Sequence, residues 1–126
     1  MLIVDDDPDT REMYGWCLEG RGFQVTLAST VDAALKHMAS GIPDVLITDY
    51  TLPGGDGFTL ADKLRREPAT RGVTMVLVSG RDFLGDAGAR AAELFDCVLL
   101  KPVLPDDLAS QLLPLLARRA GNAPHP

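Results

Sequence analysis

The chain has 126 residues, which is the size of one domain and leaves no room for a second core of ordinary dimensions. Its composition, 46% hydrophobic and 24% charged, is that of a globular protein and excludes disorder as the main state. A net charge of −6, with no basic run longer than two residues, argues against direct binding to nucleic acid or to an anionic membrane.

Five short apolar runs alternate with amphipathic stretches, which predicts an α/β fold with a parallel sheet covered by helices on both faces. Four of the runs are nearly continuous Val, Ile, Leu or Met, as expected of strands buried on both sides. The second run mixes polar and apolar residues, which suits an edge strand. The runs cover residues 1–4, 24–28, 44–48, 74–78 and 97–100.

The first predicted helix follows the first run directly. Asp7 can cap its amino terminus, with Pro8 in the first helical position. Met13, Trp16 and Cys17 then recur at helical spacing, which predicts that this side of the helix packs on the core.

The second and third predicted helices also begin at capping residues. Ser29 or Thr30 can cap the second helix, which we expect to end at Gly41. Asp56 is a candidate cap for the third helix, which should stop before Pro68.

The last two predicted helices carry residues that disfavour helix. Gly85 and Gly88 each cost the fourth helix about 0.8–1 kcal/mol relative to alanine, which predicts that it is the least stable helix. The fifth begins at Pro105, and Pro114 inside its pattern predicts a kink or a break.

Targeting signals and cysteine chemistry are not indicated. No apolar run approaches the roughly 18 residues of a membrane span, and Met1 leads into apolar and acidic residues without the basic flank of a signal peptide. We therefore expect a cytoplasmic protein. Cys17 and Cys97 are far apart in the sequence, which predicts free thiols rather than a disulfide framework or a zinc site.

Charged or hydroxyl side chains follow four of the five apolar runs at the point where each run ends. Because the carboxyl ends of parallel strands share one edge of a sheet, where open α/β folds bind their ligands, we expect these side chains to converge. They are Asp5, Asp6 and Asp7 after the first run, Asp49 after the third, Ser79 after the fourth and Lys101 after the fifth.

This set of side chains indicates phosphoryl transfer with a magnesium ion. Neighbouring carboxylates repel one another unless a hard cation with oxygen ligands lies between them, and one or two carboxylates with water and a phosphate suit Mg²⁺ better than Ca²⁺. Lys101 supplies positive charge for a phosphate, and Ser79 supplies a donor. The paired Asp5 and Asp6 suggest metal ligands and the single Asp49 suggests the nucleophile, although the spacing also allows the reverse assignment.

In their order and spacing these residues resemble the receiver domain of two-component response regulators. The resemblance covers essentially the whole chain, as a receiver domain over 1–120 followed by a tail or truncated linker over 121–126. It rests on Val4-Asp5-Asp6-Asp7 after the first strand, residues 49–57 after the third, Val78-Ser79-Gly80 after the fourth and Lys101-Pro102 after the fifth.

The resemblance implies a flavodoxin-like, doubly wound sheet of five parallel strands in the order 2-1-3-4-5. It implies a signalling switch rather than a turnover enzyme, in which a histidine kinase or phosphotransfer protein donates a phosphoryl group to Asp49. In such a switch Mg²⁺ would be held by Asp5, Asp6, Asp49 and the backbone carbonyl of Thr51, while Ser79 and Lys101 would contact the phosphoryl oxygens. The Lys101–Pro102 bond is often cis in this family.

The resemblance also implies two interaction surfaces, and the sequence departs from the family pattern at one position. The exposed side of the first helix near Arg11 and Tyr14 would dock the phosphoryl donor, and the fourth helix, fifth strand and fifth helix would form a homodimer face. The family usually places Tyr or Phe three residues before the lysine, where ring rotation accompanies switching. Here that position is Val98.

Two other functions remain open on the sequence alone. One is a phosphohydrolase of the haloacid dehalogenase type, with Asp5 as nucleophile and Asp7 as acid/base. The lack of an acidic pair after a late strand and of a substrate-capping insertion disfavours it. The other is an interaction module with an idle pocket, which the Val98 departure keeps open.

Overall fold

The computed structural model describes residues 1–121 of the chain, and the side chains as far as residue 118. Five parallel strands form one sheet in the order β2-β1-β3-β6-β7, and β4 and β5 form a small antiparallel hairpin. Counted along the chain, the main sheet has the predicted order 2-1-3-4-5, with β2 at an edge. The strands are β1 (Leu2–Val4), β2 (Thr26–Ala28), β3 (Val45–Asp49), β4 (Thr51–Leu52), β5 (Gly55–Asp56), β6 (Thr74–Ser79) and β7 (Cys97–Leu100).

Five helices cover the two faces of the sheet, so the predicted doubly wound architecture is confirmed. Because side chains alternate along a strand, β1 sends Leu2 and Val4 to one core and Ile3 to the other. The first core packs on α2, α3 and α4, and the second packs on α1 and α5. The helices are α1 (Pro8–Glu19), α2 (Val31–Ser40), α3 (Gly57–Arg66), α4 (Gly85–Leu94) and α5 (Pro105–Gly121).

Three helices begin at the capping side chains that the sequence suggested. The Asp7 carboxylate accepts from the Thr10 N–H (3.3 Å), and Asp56 accepts from Thr59 in the same way (2.8 Å). Of the two candidates for α2, Thr30 is the cap. These bonds satisfy N–H groups that have no partner within the helix, and they fix where each helix leaves the sheet edge.

The packing side of α1 differs from the prediction. Trp16 is 79% exposed and Met13 is 43% exposed, whereas Tyr14 and Leu18 are buried against the sheet. Gly15 lets the helix approach β2, since a Cβ there would lie 3.1 Å from Leu27 Cδ2. The helix is therefore rotated so that its smallest residue faces the sheet.

Helix α5 runs through Pro114 without the predicted break. Because proline has no N–H, Pro114 leaves the Ser110 carbonyl without its helical partner. Both residues are exposed, so water can satisfy that carbonyl. Gly121, expected to begin the tail, is the last residue of α5, and the rest of that tail, 122–126, lies outside the described residues. No helix in the described part is long and apolar enough to cross a bilayer.

Candidate functional site

The carboxyl ends of four strands bring the predicted side chains to one edge of the sheet. Asp49 and Ser79 are the last residues of β3 and β6, and Asp49 pairs in register with Val78. Asp5 follows β1 and stays in line with the sheet through its N–H bond to the Ala28 carbonyl (3.1 Å). The Lys101 N–H donates to the Ser79 carbonyl (2.7 Å), and the Lys101–Pro102 bond is cis.

Lys101 connects two of the predicted carboxylates directly. Its Nζ lies 3.1 Å from Asp49 Oδ2 and 3.3 Å from Asp5 Oδ2. Burial lowers the pKa of Lys101, but its hydrogen bond to Asp49 and the negative charges of Asp49 and Asp5 outweigh burial and hold that pKa above the ordinary value. The ammonium group is therefore charged at neutral pH and offsets part of the repulsion between the two carboxylates.

Three carboxylates form a cluster that can hold a metal ion. One oxygen from each of Asp5, Asp6 and Asp49 lies within 4.8 Å of the other two. The Asp5 side chain is only 4% exposed, and burial raises its pKa against the opposing effects of the Asp7 N–H and Lys101. Because all three ligands are oxygens and Asp6 opens to solvent, the cluster suits a hard divalent cation that keeps some of its water.

Asp7 lies beside this cluster but has a different task. Its backbone N–H donates to Asp5 Oδ1 (2.9 Å) and so orients that carboxylate, whereas its own side chain caps α1 through Thr10. The hydrogen bonds from Thr10 lower the pKa of Asp7, which favours its charged form. Asp7 is thus placed as a helix cap rather than as the acid/base of a phosphohydrolase.

The residue after Asp49 binds the second oxygen of the Asp49 carboxylate, the one that Lys101 does not contact. The Tyr50 N–H donates to Asp49 Oδ1 (2.7 Å), and the Tyr50 carbonyl accepts from the Gly57 N–H (2.7 Å) at the start of α3. Thr51 follows in β4, which pairs with β5 in the hairpin. The role expected for the Thr51 carbonyl stays a prediction.

Ser79 is nearly inaccessible, with 2% of its surface exposed. Its Oγ accepts from the backbone N–H of Arg81 (3.1 Å), which leaves the hydroxyl proton for a ligand beyond the end of β6. Strand β6 lies between β3, which carries Asp49, and β7, where Leu100 pairs in register with Ser79. The contact that the sequence predicts between Ser79 and a phosphoryl oxygen stays a prediction.

An aromatic cluster beside the site was not foreseen. The Tyr50 ring lies 5.0 Å from Phe58 and 4.9 Å from Phe83 between centroids, and Phe58 continues to Phe95 at 6.2 Å. The Arg81 guanidinium carbon lies 5.4 Å from the Tyr50 centroid. These residues come from four separate segments, and only the position of Tyr50 directly after Asp49 could have drawn attention to them.

Two residues expected near a docking surface have internal contacts. Tyr14 is buried, and its hydroxyl donates to the Val103 carbonyl (2.6 Å). Arg11 Nη1 donates to the Asp5 carbonyl (2.8 Å) and so helps to fix the backbone of Asp5. The solvent side of α1 presents Met13 and Trp16 instead. Val98, in the position of the usual aromatic, is 44% exposed on β7.

Comparison with known proteins points to one family throughout. The family model described as response regulator receiver domain matches residues 1–113. The chain is 30% identical over 118 residues to the phosphate regulon transcriptional regulatory protein PhoB of Escherichia coli, covering 94% of this chain and 52% of that protein. It is 33% identical over 108 residues to a 14.6 kDa protein of Leptolyngbya boryana, covering 86% and 82%. The chain therefore spans about half the length of PhoB.

Solved structures agree with these sequence relatives. A CheY-like receiver domain protein from Methanospirillum hungatei superposes with a TM-score of 0.90 at 25% identity, covering 97% of this chain and 96% of that one. A CheY-like receiver domain from Methylobacillus flagellatus has a TM-score of 0.78 at 33% identity, covering 94% and 95%. The resemblance extends over nearly the whole length of both structures.

Proposed function

The chain belongs to the response regulator receiver domain family, and from this membership we propose that Asp49 is the residue that accepts the phosphoryl group. The observation that carries the proposal is the contact of one ammonium group with two carboxylates at the sheet edge. Lys101 lies between Asp49 and Asp5, and Asp6 completes an acidic cluster at the same place. Positive charge and oxygen ligands gathered around one carboxylate are what phosphoryl transfer to that carboxylate requires.

Each residue has a definite part in the proposed step. A carboxylate oxygen of Asp49 attacks phosphorus while the P–N bond of a donor phosphohistidine breaks, and the electron pair of that bond passes to the imidazole nitrogen. Lys101 exchanges its bond to the carboxylate for one to a phosphoryl oxygen, and the Ser79 hydroxyl donates to another. Mg²⁺, when held by Asp5, Asp6, Asp49 and the Thr51 carbonyl, supplies the remaining neutralisation of charge.

The two alternative functions receive less support. A phosphohydrolase with Asp5 as nucleophile would need Asp7 free as acid/base, but the Asp7 side chain caps α1. An interaction module with an idle pocket would have no need of a lysine held between two mostly buried carboxylates. The family to which the chain belongs is a signalling family, which agrees with a switch.

The test is phosphorylation by a small donor. Incubation with acetyl phosphate and Mg²⁺ should add the mass of one phosphoryl group, and a chelator should prevent the addition. Asp49→Asn should abolish it, whereas Asp32→Asn, a matched change at an exposed acid on α2, should not. An adduct that survives Asp49→Asn contradicts the proposal. Turnover of a phosphate monoester that is lost in Asp5→Asn and kept in Asp49→Asn would favour the phosphohydrolase.

We propose a histidine kinase or a histidine phosphotransfer protein as the donor. Its docking surface would be the solvent side of α1, which begins beside the acidic cluster and exposes Met13 and Trp16. Neighbouring apolar side chains that are exposed to solvent are typical of protein–protein contact sites. Trp16→Ser should reduce the rate of transfer from such a donor while leaving phosphorylation by acetyl phosphate unchanged; equal loss with both donors contradicts this docking surface.

A homodimer face is a separate proposal. Strand β7 exposes Val98 and Leu100, and the residues directly before α4 and α5, Leu84 and Leu104, are exposed as well. We propose that phosphorylation promotes pairing of two copies through this face. Light scattering with and without beryllofluoride and Mg²⁺ would measure the change in molar mass. Leu100→Lys should abolish the pairing, and dimers that persist in this variant would contradict the face. Direct binding of nucleic acid is not part of the proposal, in keeping with the net charge of −6.

Switching would pass from the site into the segment after β6. We propose that a phosphoryl group on Asp49 draws Ser79 toward it and repositions residues 80–88, and with them α4 and β7. Helix α4 suits this role because it begins without a side-chain cap at Leu84 and with a positive φ of 60° at Gly85. Val98 cannot take part as a rotating aromatic, so this route does not depend on a ring in β7.

A further inference from the structure

Arg81 makes two contacts that together connect the hydroxyl of the site to the residue after the phosphoacceptor. Its backbone N–H donates to Ser79 Oγ (3.1 Å), and its guanidinium carbon lies 5.4 Å from the Tyr50 centroid and 5.8 Å from the Phe83 centroid. Both distances are within the range of cation–π attraction. Tyr50 in turn donates its N–H to Asp49. The side chain of Arg81 thus lies against the same segment that holds Asp49.

The loop between β6 and α4 is largely exposed, and besides Arg81 it is attached through the Phe83 ring. Gly80, Asp82 and Leu84 are exposed, and the hydrogen bond of Asp82 to the Phe83 N–H is local to the loop. No carboxylate forms an ion pair with Arg81 within the part of the chain that the structure describes. Together with the Phe83 ring, which packs on Tyr50 (4.9 Å) and Phe58 (5.0 Å), the contact of the Arg81 guanidinium with the Tyr50 ring restrains where the Arg81 backbone N–H lies.

That N–H determines how Ser79 can act. A serine hydroxyl has one proton to donate and two lone pairs to accept with, and it rotates to suit its partners. Because the Arg81 N–H occupies a lone pair of Oγ, the hydroxyl proton cannot point along that bond and is left to donate to another acceptor. If the loop moved away from the Tyr50 ring, this restraint would be released and the hydroxyl could rotate among several orientations.

We propose that Arg81 is a positioning residue, which holds the Ser79 hydroxyl ready for the phosphoryl oxygens through its cation–π contacts with Tyr50 and Phe83. This inference rests on the proposed function of Asp49, and it adds how the hydroxyl of that site is kept in place. Arg81 touches neither the phosphoryl group nor the metal ion in this role. It acts only through Ser79.

The experiment measures the affinity for beryllofluoride, a mimic of the phosphoryl group, in the presence of Mg²⁺. Arg81→Gln should weaken binding by about two- to fivefold, the size of one exposed cation–π contact. Arg81→Lys keeps the charge and should restore part of the affinity. Arg71→Gln, the same change at an exposed arginine in the loop before β6, should leave the affinity unchanged.

A double-mutant cycle with Ser79→Ala separates positioning from a general effect of structure or charge. In the Ser79→Ala background Arg81→Gln should cause no further loss, because the hydroxyl through which Arg81 acts is absent. The same two- to fivefold loss in both backgrounds, or an equal loss in Arg71→Gln, overturns the inference. A wild-type chain that takes up no phosphoryl group on Asp49 overturns the proposed function as well, whereas normal uptake with no effect of Arg81→Gln overturns this inference alone.

Discussion

The α-carbon of Gly57 faces the backbone carbonyl of Asp49 so closely that a Cβ on residue 57 would lie 2.6 Å from that oxygen. The same Cβ would also lie 3.1 Å from Leu77 Cδ1. Only a residue without a side chain lets α3 begin directly beside Asp49 while its N–H donates to the Tyr50 carbonyl. The glycine therefore helps to determine where Asp49 lies.

Gly57→Ala should therefore disturb both stability and the site. The new methyl group must push the backbone of Asp49 or the start of α3 aside, which should lower the free energy of unfolding by about 1–3 kcal/mol. Urea unfolding measures this loss, and the rate of phosphorylation by acetyl phosphate should fall with it. Gly41→Ala is the matched control, because a Cβ there meets nothing within 4 Å. Equal stability of the two variants would show that the close approach imposes no constraint.

The convergence of Asp5, Asp49, Ser79 and Lys101 could be predicted because it depends on topology alone. Once the runs are parallel strands, the residue after each strand must lie at one edge, whatever the side chains do in detail. The rotation of α1 could not be predicted in this way. It depends on the close approach of Gly15 to Leu27, and the spacing of Met13 and Trp16 carries no information about that contact.

Contacts between the loops that follow the strand ends could not be predicted either. Nothing in the sequence near Arg81 indicates that it stacks on Tyr50, about thirty residues earlier, since the contact exists only when two loops meet at the sheet edge. The hairpin of β4 and β5 has only two residues in each strand, too few for a hydrophobic pattern to indicate it. The local hydrophobic pattern thus predicts the order of strands and helices, whereas tertiary packing determines how the loops around Asp49 meet.

We expect Lys101 to compete with a cation for the acidic cluster. Its Nζ is within 3.3 Å of two of the three carboxylates, so a bound Mg²⁺ must share them with an ammonium group. We expect Lys101→Met to bind Mg²⁺ more tightly by about 1 kcal/mol, because repulsion between the two cations is removed. The same variant should accept phosphoryl groups more slowly, since the phosphoryl oxygens lose a cationic partner. Calorimetric titration with Mg²⁺ and the acetyl phosphate assay measure the two effects.

The control for this prediction is Lys63→Met. Lys63 is an exposed lysine in the last turn of α3, so its substitution changes the net charge equally at a residue that is not part of the cluster. It should alter Mg²⁺ affinity little at physiological ionic strength, where exposed charges are screened beyond about 8 Å. Weaker Mg²⁺ binding in Lys101→Met, or the same gain in both variants, would argue against direct competition.

Arg65 joins α3 to three other parts of the chain. Its guanidinium group donates to the carbonyls of Leu94 (3.0 Å), Arg71 (2.6 Å) and Val73 (2.9 Å) and to the Asp96 carboxylate (3.2 Å). Arg65→Met should lower the free energy of unfolding by about 2–4 kcal/mol, because partly buried acceptors lose their donors. Arg65→Lys should recover only part of this, since an ammonium group lacks the planar set of donors.

Urea unfolding of Arg66→Met gives the comparison for Arg65. The Arg66 side chain is 76% exposed and pairs with Asp62 within the same helix, so we expect a loss of no more than about 0.5 kcal/mol. If Arg65→Met and Arg66→Met are equally stable, the network around Arg65 does not stabilise the fold.

The two ends of α4 are held unequally. Its carboxyl end is fixed by the bond of Arg65 to the Leu94 carbonyl and by the ion pair of Arg90 with Asp62, whereas its first turn has no side-chain cap. Amide exchange in residues 85–88 should therefore be faster than in 91–94. If the proposed route of switching is correct, beryllofluoride with Mg²⁺ should alter exchange in the first turn most. Equal changes at both ends would contradict a movement that begins at residue 80.

A capping side chain at the start of α4 should reduce the difference in amide exchange between the two ends of the helix. Leu84 occupies the capping position with extended backbone, φ −121° and ψ 163°, and its side chain is 79% exposed, so Leu84→Ser removes little packing. The serine oxygen can accept from the Ala87 N–H, which should stabilise the helix by about 1 kcal/mol and slow exchange in residues 85–88 by roughly fivefold. Leu84→Ala removes the same leucine without adding a cap and should not slow exchange. If the two variants exchange alike, the missing cap is not what leaves the first turn of α4 free to respond to Ser79.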